Sequence, residues 1–157
     1  MAATGVGARI EELAQELFEV FTHLCLATPR GRRRTDDLKE AEFLTLAILQ
    51  DRGTMIVGDI QRQLGVLPAQ MSRIIRALET RDRPLIACQI NPQDKRKIDV
   101  ALTPAGRSAF LEYQAARVRT ISALLNHLGD EDLDDLHRLI GKLQQALDGR
   151  PGEGRRS

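Results

Sequence analysis

The chain has 157 residues, 42% of them apolar, with 23 Lys and Arg against 22 Asp and Glu. That length supports one core, or one core with an extended dimerising part, and no run of about 18 uncharged apolar residues is present to span a bilayer, which excludes a membrane protein. Residues 1–7 lack the basic patch and apolar run of a secretory signal, and two cysteines cannot supply a disulfide framework, so the expected setting is the reducing cytoplasm. Aromatic residues make up only 3%, with Trp absent, which argues against a stacking platform for splayed bases.

The first helical pattern covers about 8–27, where Ile10, Leu13, Leu17, Val20, Phe21 and Leu24 recur every three or four residues. Pro29, Gly31 and the cluster Arg30, Arg32, Arg33 and Arg34 then make an exposed basic connection. Asp37 and Glu40 have capping-box spacing and open a second helix, with Leu38, Phe43, Leu46 and Leu49 on its apolar side and an end near Gly53. A short helix over Val57–Leu64 buries Ile60 and Leu64; Gly65 and Pro68 turn the chain tightly into another. In that next helix Met71, Ile74, Ile75 and Leu78 fall at i, i+3, i+4 and i+7, which sends Ala69, Gln70, Ser72, Arg73 and Arg76 outward.

The period then changes from helix to strand. Residues 85–90 and Ile98–Leu102 are compact apolar stretches, and Ile98, Val100 and Leu102 alternate with Asp99 and Ala101 around a basic hairpin loop at 91–97. Thr103 and Pro104 are a cap and first-turn signal for a long helix running to Leu128, broken by Gly129 and Asp130. A last helix places Leu133, Leu136, Leu139, Ile140, Leu143 and Leu147 on one face, before a Gly- and Arg-rich tail.

Charge follows the same divisions. Over 68–97 seven cations (Arg73, Arg76, Arg81, Arg83, Lys95, Arg96 and Lys97) face three acids, whereas over Asp130–Asp148 six acids face Arg138 and Lys142 alone. A basic middle and an acidic end can orient a molecule toward a polyanion, although solvated helix faces also produce local charge runs.

Helix, helix, tight corner, exposed polar helix and basic hairpin are the parts of a winged helix-turn-helix. A major groove admits one helix, and its base edges require hydrogen-bonding side chains. Arg73 and Arg76 can fork onto guanine, Gln70 can pair with adenine, Ser72 can reach bases or phosphates, and Ala69 can meet a thymine methyl. The same five residues would also serve as an ordinary solvated helix face.

The stretch 91–106, with Asp94 and Arg96 as D-x-R and then Leu102, Thr103 and Gly106 as L-T-x-x-G, resembles the wing and following helix start of the multiple-antibiotic-resistance regulator (MarR) family. Phe43, Leu46 and Leu49, then Leu64 and Gly65, Ser72 and Arg73, and Leu78 and Glu79 keep the same order upstream, so the likeness covers about 38–106. The resemblance implies a mainly α fold with a small β-hairpin wing, in which a winged helix-turn-helix (36–103) is flanked by an N-terminal dimerisation helix and basic linker (1–35) and C-terminal dimerisation helices (104–148), with a disordered tail (149–157). It further implies a homodimer on double-stranded DNA with Arg96 at the wing tip reaching a minor groove and Asp94 orienting it. Such an assignment suits a guanidinium in a narrow, negative groove; Lys95 and Lys97 fit phosphate contacts. Leu67 stands at the cap position where such regulators often carry Ser or Thr, 80–85 replaces the usual glycine-containing lead into the wing, and 87–89 lacks the arginine often found there.

The resemblance also implies a regulator, expected to be a repressor of a pseudo-palindromic operator, relieved by a small ligand or an oxidant. Cys25 is the candidate redox sensor, against the alternative that Cys25 and Cys88 are inert buried thiols. His23, His127 and His137 are widely spaced, and no HExxH, CxxC, P-loop or dinucleotide glycine pattern is present, so no catalytic residue, metal or cofactor is expected. The competing function is a dimeric winged-helix module whose basic surface meets an acidic protein rather than a DNA sequence.

Overall fold

The computed structural model describes residues 2–27 and 38–149, which form two units divided at Val118. The elements in chain order are α1 (Ala2–Ala27), α2 (Glu40–Arg52), β1 (Met55–Ile56), α3 (Val57–Leu64), α4 (Pro68–Glu79), β2 (Ile86–Ile90), β3 (Ile98–Leu102), α5 (Pro104–Leu125) and α6 (Asp130–Asp148). The basic connection at Arg30 and Arg32–34, Asp37 and the tail beyond Gly149 lie outside the described residues.

One core organises the first unit. Leu46 and Leu49 of α2, Ile60 of α3, Met71, Ile74 and Leu78 of α4, Leu85, Ile86 and Val100 of the hairpin, and Phe110 of α5 are buried together. Each such side chain contributes about 1.5–3 kcal/mol by leaving water. Phe43, Leu64 and Ile75 pack against this core from half-buried positions. The helical periods therefore point where the sequence puts them, because three short helices with one apolar side each have a single way to share it.

The corners are set by backbone chemistry. Gly65 closes α3 with φ 65°, in the left-handed region that side-chain-bearing residues avoid, and its N–H bonds back to the carbonyls of Gln61 and Arg62. Thr103 caps α5 by accepting Gly106 N–H at 3.0 Å, while its own hydroxyl donates to the Pro84 carbonyl. Gly106 is buried against Leu85, where an added Cβ would overlap the carbonyl oxygen. The L-T-x-x-G run is thus a junction: threonine ties the helix start to the segment entering the wing, and glycine lets the helix approach it.

Three local expectations are corrected. The sheet has three strands in the order β1-β3-β2, all antiparallel, with Met55 opposite Val100 and Cys88 opposite Val100 on its other side. A two-residue strand has no period to read, which is why β1 escapes the sequence pattern. The second helix has Lys39 as its cap residue and is capped at its start by Glu42, whose Oε2 accepts Lys39 N–H at 3.1 Å, while Asp37 of the expected Asp37 and Glu40 pair lies outside the described residues. Finally, α1 begins at Ala2 and α5 ends at Leu125. Gly5 and Gly7 weaken helix propensity without stopping the helix, and the turn at 126–128 closes by shortened bonds, His127 N–H to the Leu124 carbonyl and Leu128 N–H to that of Leu125.

A buried ion pair joins elements far apart in sequence. Arg81, just beyond α4, reaches Glu42 at 2.9 Å, and the Glu42 side chain is only 6% exposed. Glu42 thereby serves the start of α2 and the end of α4 with one carboxylate. Elsewhere the helices keep apolar stripes in water: Ile10, Leu13, Leu17, Val20 and Phe21 along α1, and Leu139, Ile140, Leu143 and Leu147 along α6.

Candidate nucleic-acid interface

Helix α4 is presented by its neighbours. Its inner side, Met71, Ile74 and Leu78, is locked in the core, and Ala69, Gln70, Ser72, Arg73 and Arg76 are all exposed. Among the described residues Ser72, Arg73 and Arg76 have no side-chain hydrogen bond or ion pair, so their donors face solvent. Gln70 differs. Its Oε1 accepts Leu67 N–H at 3.1 Å, one half of a capping box; the other half, a side-chain acceptor at residue 67 for the Gln70 N–H, is missing because Leu67 has no polar side chain.

The wing tip is a built loop. Asn91 Oδ1 accepts the N–H groups of Gln93 and Asp94 at 2.9 and 3.0 Å, its own amide donates to Asp99, and Asn91 N–H bonds the Lys97 carbonyl. Asp94 then accepts both Arg96 N–H at 3.1 Å and Arg96 Nε at 3.4 Å, with Lys97 Nζ at 3.9 Å from its other oxygen. The Arg96 side chain is 92% exposed, so an ion pair there adds little stability. What it does is narrow the directions in which the guanidinium points. Lys95 is exposed at the same tip.

Arg96 and Lys97 also line a cleft of about 460 Å³ with Ile56, Val57, Gly58, Asp59, Arg62 and Ile98. Arg62, ion-paired with Asp59, is a cation that the sequence pattern passes over, because at the end of a short helix it reads as ordinary solvated surface.

Both cysteines are half-buried and unbridged. Burial, reinforced by Glu79, pushes the Cys88 thiol above its ordinary range, which makes it a poor nucleophile. Cys25 lies within electrostatic reach of Arg117, ninety-two positions away in sequence. The Arg117 guanidinium bonds the Tyr113 hydroxyl at 2.8 Å and is held more basic chiefly by that bond. Tyr113 in turn stacks on Phe43, which also stacks on Phe110.

A helix-turn-helix with a three-stranded wing and outward cations on both defines a DNA-binding transcriptional regulator. The MarR family model matches residues 38–98. The chain is 31% identical over 108 residues to the HTH-type transcriptional repressor MdtR of Bacillus subtilis, covering 69% of this chain and 68% of that protein. Among solved structures, the YusO protein of Bacillus subtilis is 26% identical with a TM-score of 0.68, over 87% of this chain and 95% of that one. BpsR of Bordetella bronchiseptica, solved in work on the regulation of its DNA binding by 6-hydroxynicotinic acid, is 22% identical with a TM-score of 0.58, over 87% and 98% of the two chains. The chain belongs to the MarR family.

Proposed function

We propose that the chain acts as a homodimeric repressor of a pseudo-palindromic operator, with α4 in the major groove and Arg96 in the adjacent minor groove. The observation that carries this reading is the exposed, unengaged row of Ser72, Arg73 and Arg76 on a helix whose other side is fixed in the core. Donors held at fixed spacing on a rigid element are what base edges select. Lys95 and Lys97 supply phosphate contacts, which add affinity and salt dependence without sequence information. The exposed apolar stripes of α1 and α6 support pairing with a second copy, since contiguous apolar surface of that kind marks an interaction face. Two-fold symmetry in the protein then calls for two-fold symmetry in the DNA, with half-sites about 10 bp apart.

Repression follows sterically when a dimer covers promoter DNA, and release follows when an effector binds better to a state in which the lobes no longer match the half-sites. The regulation of BpsR by 6-hydroxynicotinic acid supports a small-molecule effector. The test is selection from random duplexes by purified protein, a salt titration on the winning site, and sedimentation at working concentrations. Enrichment of a two-fold motif by a dimer is the expected result. Equal binding to scrambled duplexes would favour a protein-interaction module, and solitary protomers would remove the half-site geometry.

A further inference from the structure

The start of α4 carries an apolar side chain that the polar row behind it leaves unused. Leu67, its N-cap residue, is 69% exposed, and Pro68 and Ala69 beside it are exposed as well. Single apolar side chains on a surface are ordinary, so exposure alone carries little. Gln70 gives it meaning. The bond from Leu67 N–H to Gln70 Oε1 folds the Gln70 amide back over the helix start, which brings the amide beside residue 67 and turns its oxygen inward. What remains to face a ligand is the NH₂ group, a donor only.

An apolar contact beside a donor is the complement of one base edge. In the major groove thymine presents a C5-methyl next to the O4 acceptor; cytosine presents a donor, and adenine and guanine carry no methyl. We propose that Leu67 and Gln70 together read a thymine in each half-site, Leu67 covering the methyl and the Gln70 NH₂ donating to O4. The proposal rests on the DNA-reading function above and revises the pairing of Gln70 with adenine, because that bidentate contact needs the oxygen that the helix start holds.

The experiment takes the duplex enriched by the wild-type dimer and replaces its thymines one at a time with deoxyuridine, which removes only the methyl. Binding is measured for the wild type, Leu67→Ala and Gln70→Glu, with melting by circular dichroism to confirm that each variant folds. Glutamate keeps an oxygen for Leu67 N–H, as Glu42 does for Lys39, but offers an acceptor where glutamine offers a donor. One symmetry-related thymine should weaken wild-type binding about fourfold per half-site on losing its methyl, the worth of one buried methyl group. Leu67→Ala should bind the two duplexes equally. Gln70→Glu should prefer 5-methylcytosine at that position, whose amine donates. An enriched two-fold motif in which no deoxyuridine weakens the wild type overturns the proposal and leaves the regulator intact, as does a folded Leu67→Ala that still discriminates. Failure to enrich any motif removes the DNA-reading function and the proposal with it. The wild-type deoxyuridine scan can overturn the proposal even if a variant fails to fold, and Leu67→Ala separates this contact from one made by Ala69.

Discussion

Replacing Gly106 by alanine tests the packing of α5 against the entry to the wing. Helix propensity alone argues for a gain, because alanine is about 1 kcal/mol better than glycine inside a helix. The packing argues the other way. A Cβ at this position would overlap the Leu85 carbonyl oxygen and meet its carbon at 2.9 Å and Leu102 Cδ1 at 3.0 Å, where relaxed carbon contacts lie near 3.5 Å. The Leu85 peptide has little room to retreat. Its N–H is bonded to the Leu78 carbonyl at 2.9 Å, and its oxygen accepts Thr103 N–H at 3.1 Å, so retreat strains the end of α4 or breaks the bond to Thr103. Overpacking costs about 1–3 kcal/mol and a lost hydrogen bond about 1 more, which after the propensity gain leaves a net loss of about 1–3 kcal/mol. For a chain of this size that lowers the melting temperature by about 2–12 °C. The assay is denaturant unfolding followed by circular dichroism at a fixed protomer concentration, since dimerisation would make stability depend on it. Gly58→Ala is the control: nothing stands within 4 Å of its Cβ, and it should be neutral or slightly stabilising. A Gly106→Ala protein as stable as the wild type would refute the reasoning.

Three further outcomes follow from other parts of the molecule. Glu42→Met or Arg81→Met alone should each cost about 3 kcal/mol by stranding the partner charge, while the double variant should recover much of that loss; additive losses in a denaturation cycle would show that the pair is not coupled. On the selected duplex, Lys95→Ala should weaken every sequence alike and reduce the salt slope by about 1, whereas Arg73→Ala should relax discrimination at one base pair by about 1–3 kcal/mol; a Lys95 variant with altered sequence preference would contradict the division of roles. In a Cys25→Ser background, Cys88 should react with iodoacetamide at pH 8 more slowly than glutathione, because its raised pKa leaves less thiolate. The sign for stability is the same: the buried thiol favours the fold below the ordinary thiol range and the contribution fades as the pH rises through the raised value, so faster alkylation than glutathione would be the contrary result.

What the sequence makes legible is whatever repeats. Met71, Ile74 and Leu78 declare the inner side of α4 because three apolar residues at helical spacing agree with one another, and Ile98, Val100 and Leu102 do the same for β3. Caps are legible for a related reason: Thr103 before Pro104 puts a hydroxyl where free amides gather. The Arg81 to Glu42 pair has no such signal, since nothing in the local pattern of either partner changes when the other is distant. Arg81 falls in the very segment, 80–85, where the chain departs from the family pattern, so one departure carries a tie of its own.

Gln70 marks the point at which residue type stops being enough. Its place on the outer side of α4 follows from period alone, and its amide offers both a donor and an acceptor. A base edge is recognised by the order of donors, acceptors and methyls along it, so what a glutamine reads depends on which of its two ends is engaged elsewhere. Here Gln70 supplies the acceptor for the N–H of the cap residue, one half of a capping box whose other half a leucine side chain cannot make. The capping need and the reading are therefore linked by one bond. Leu67→Ser should make the link visible, because the serine hydroxyl accepts the Gln70 backbone N–H and completes the capping box, which keeps the Gln70 oxygen on the residue-67 N–H while removing the apolar contact. Its preferred base at that position should remain thymine through the Gln70 NH₂, with the penalty for deoxyuridine lost, which binding to the two duplexes would read directly; a move toward adenine in a repeated selection would mean that the helix start does not hold the Gln70 oxygen.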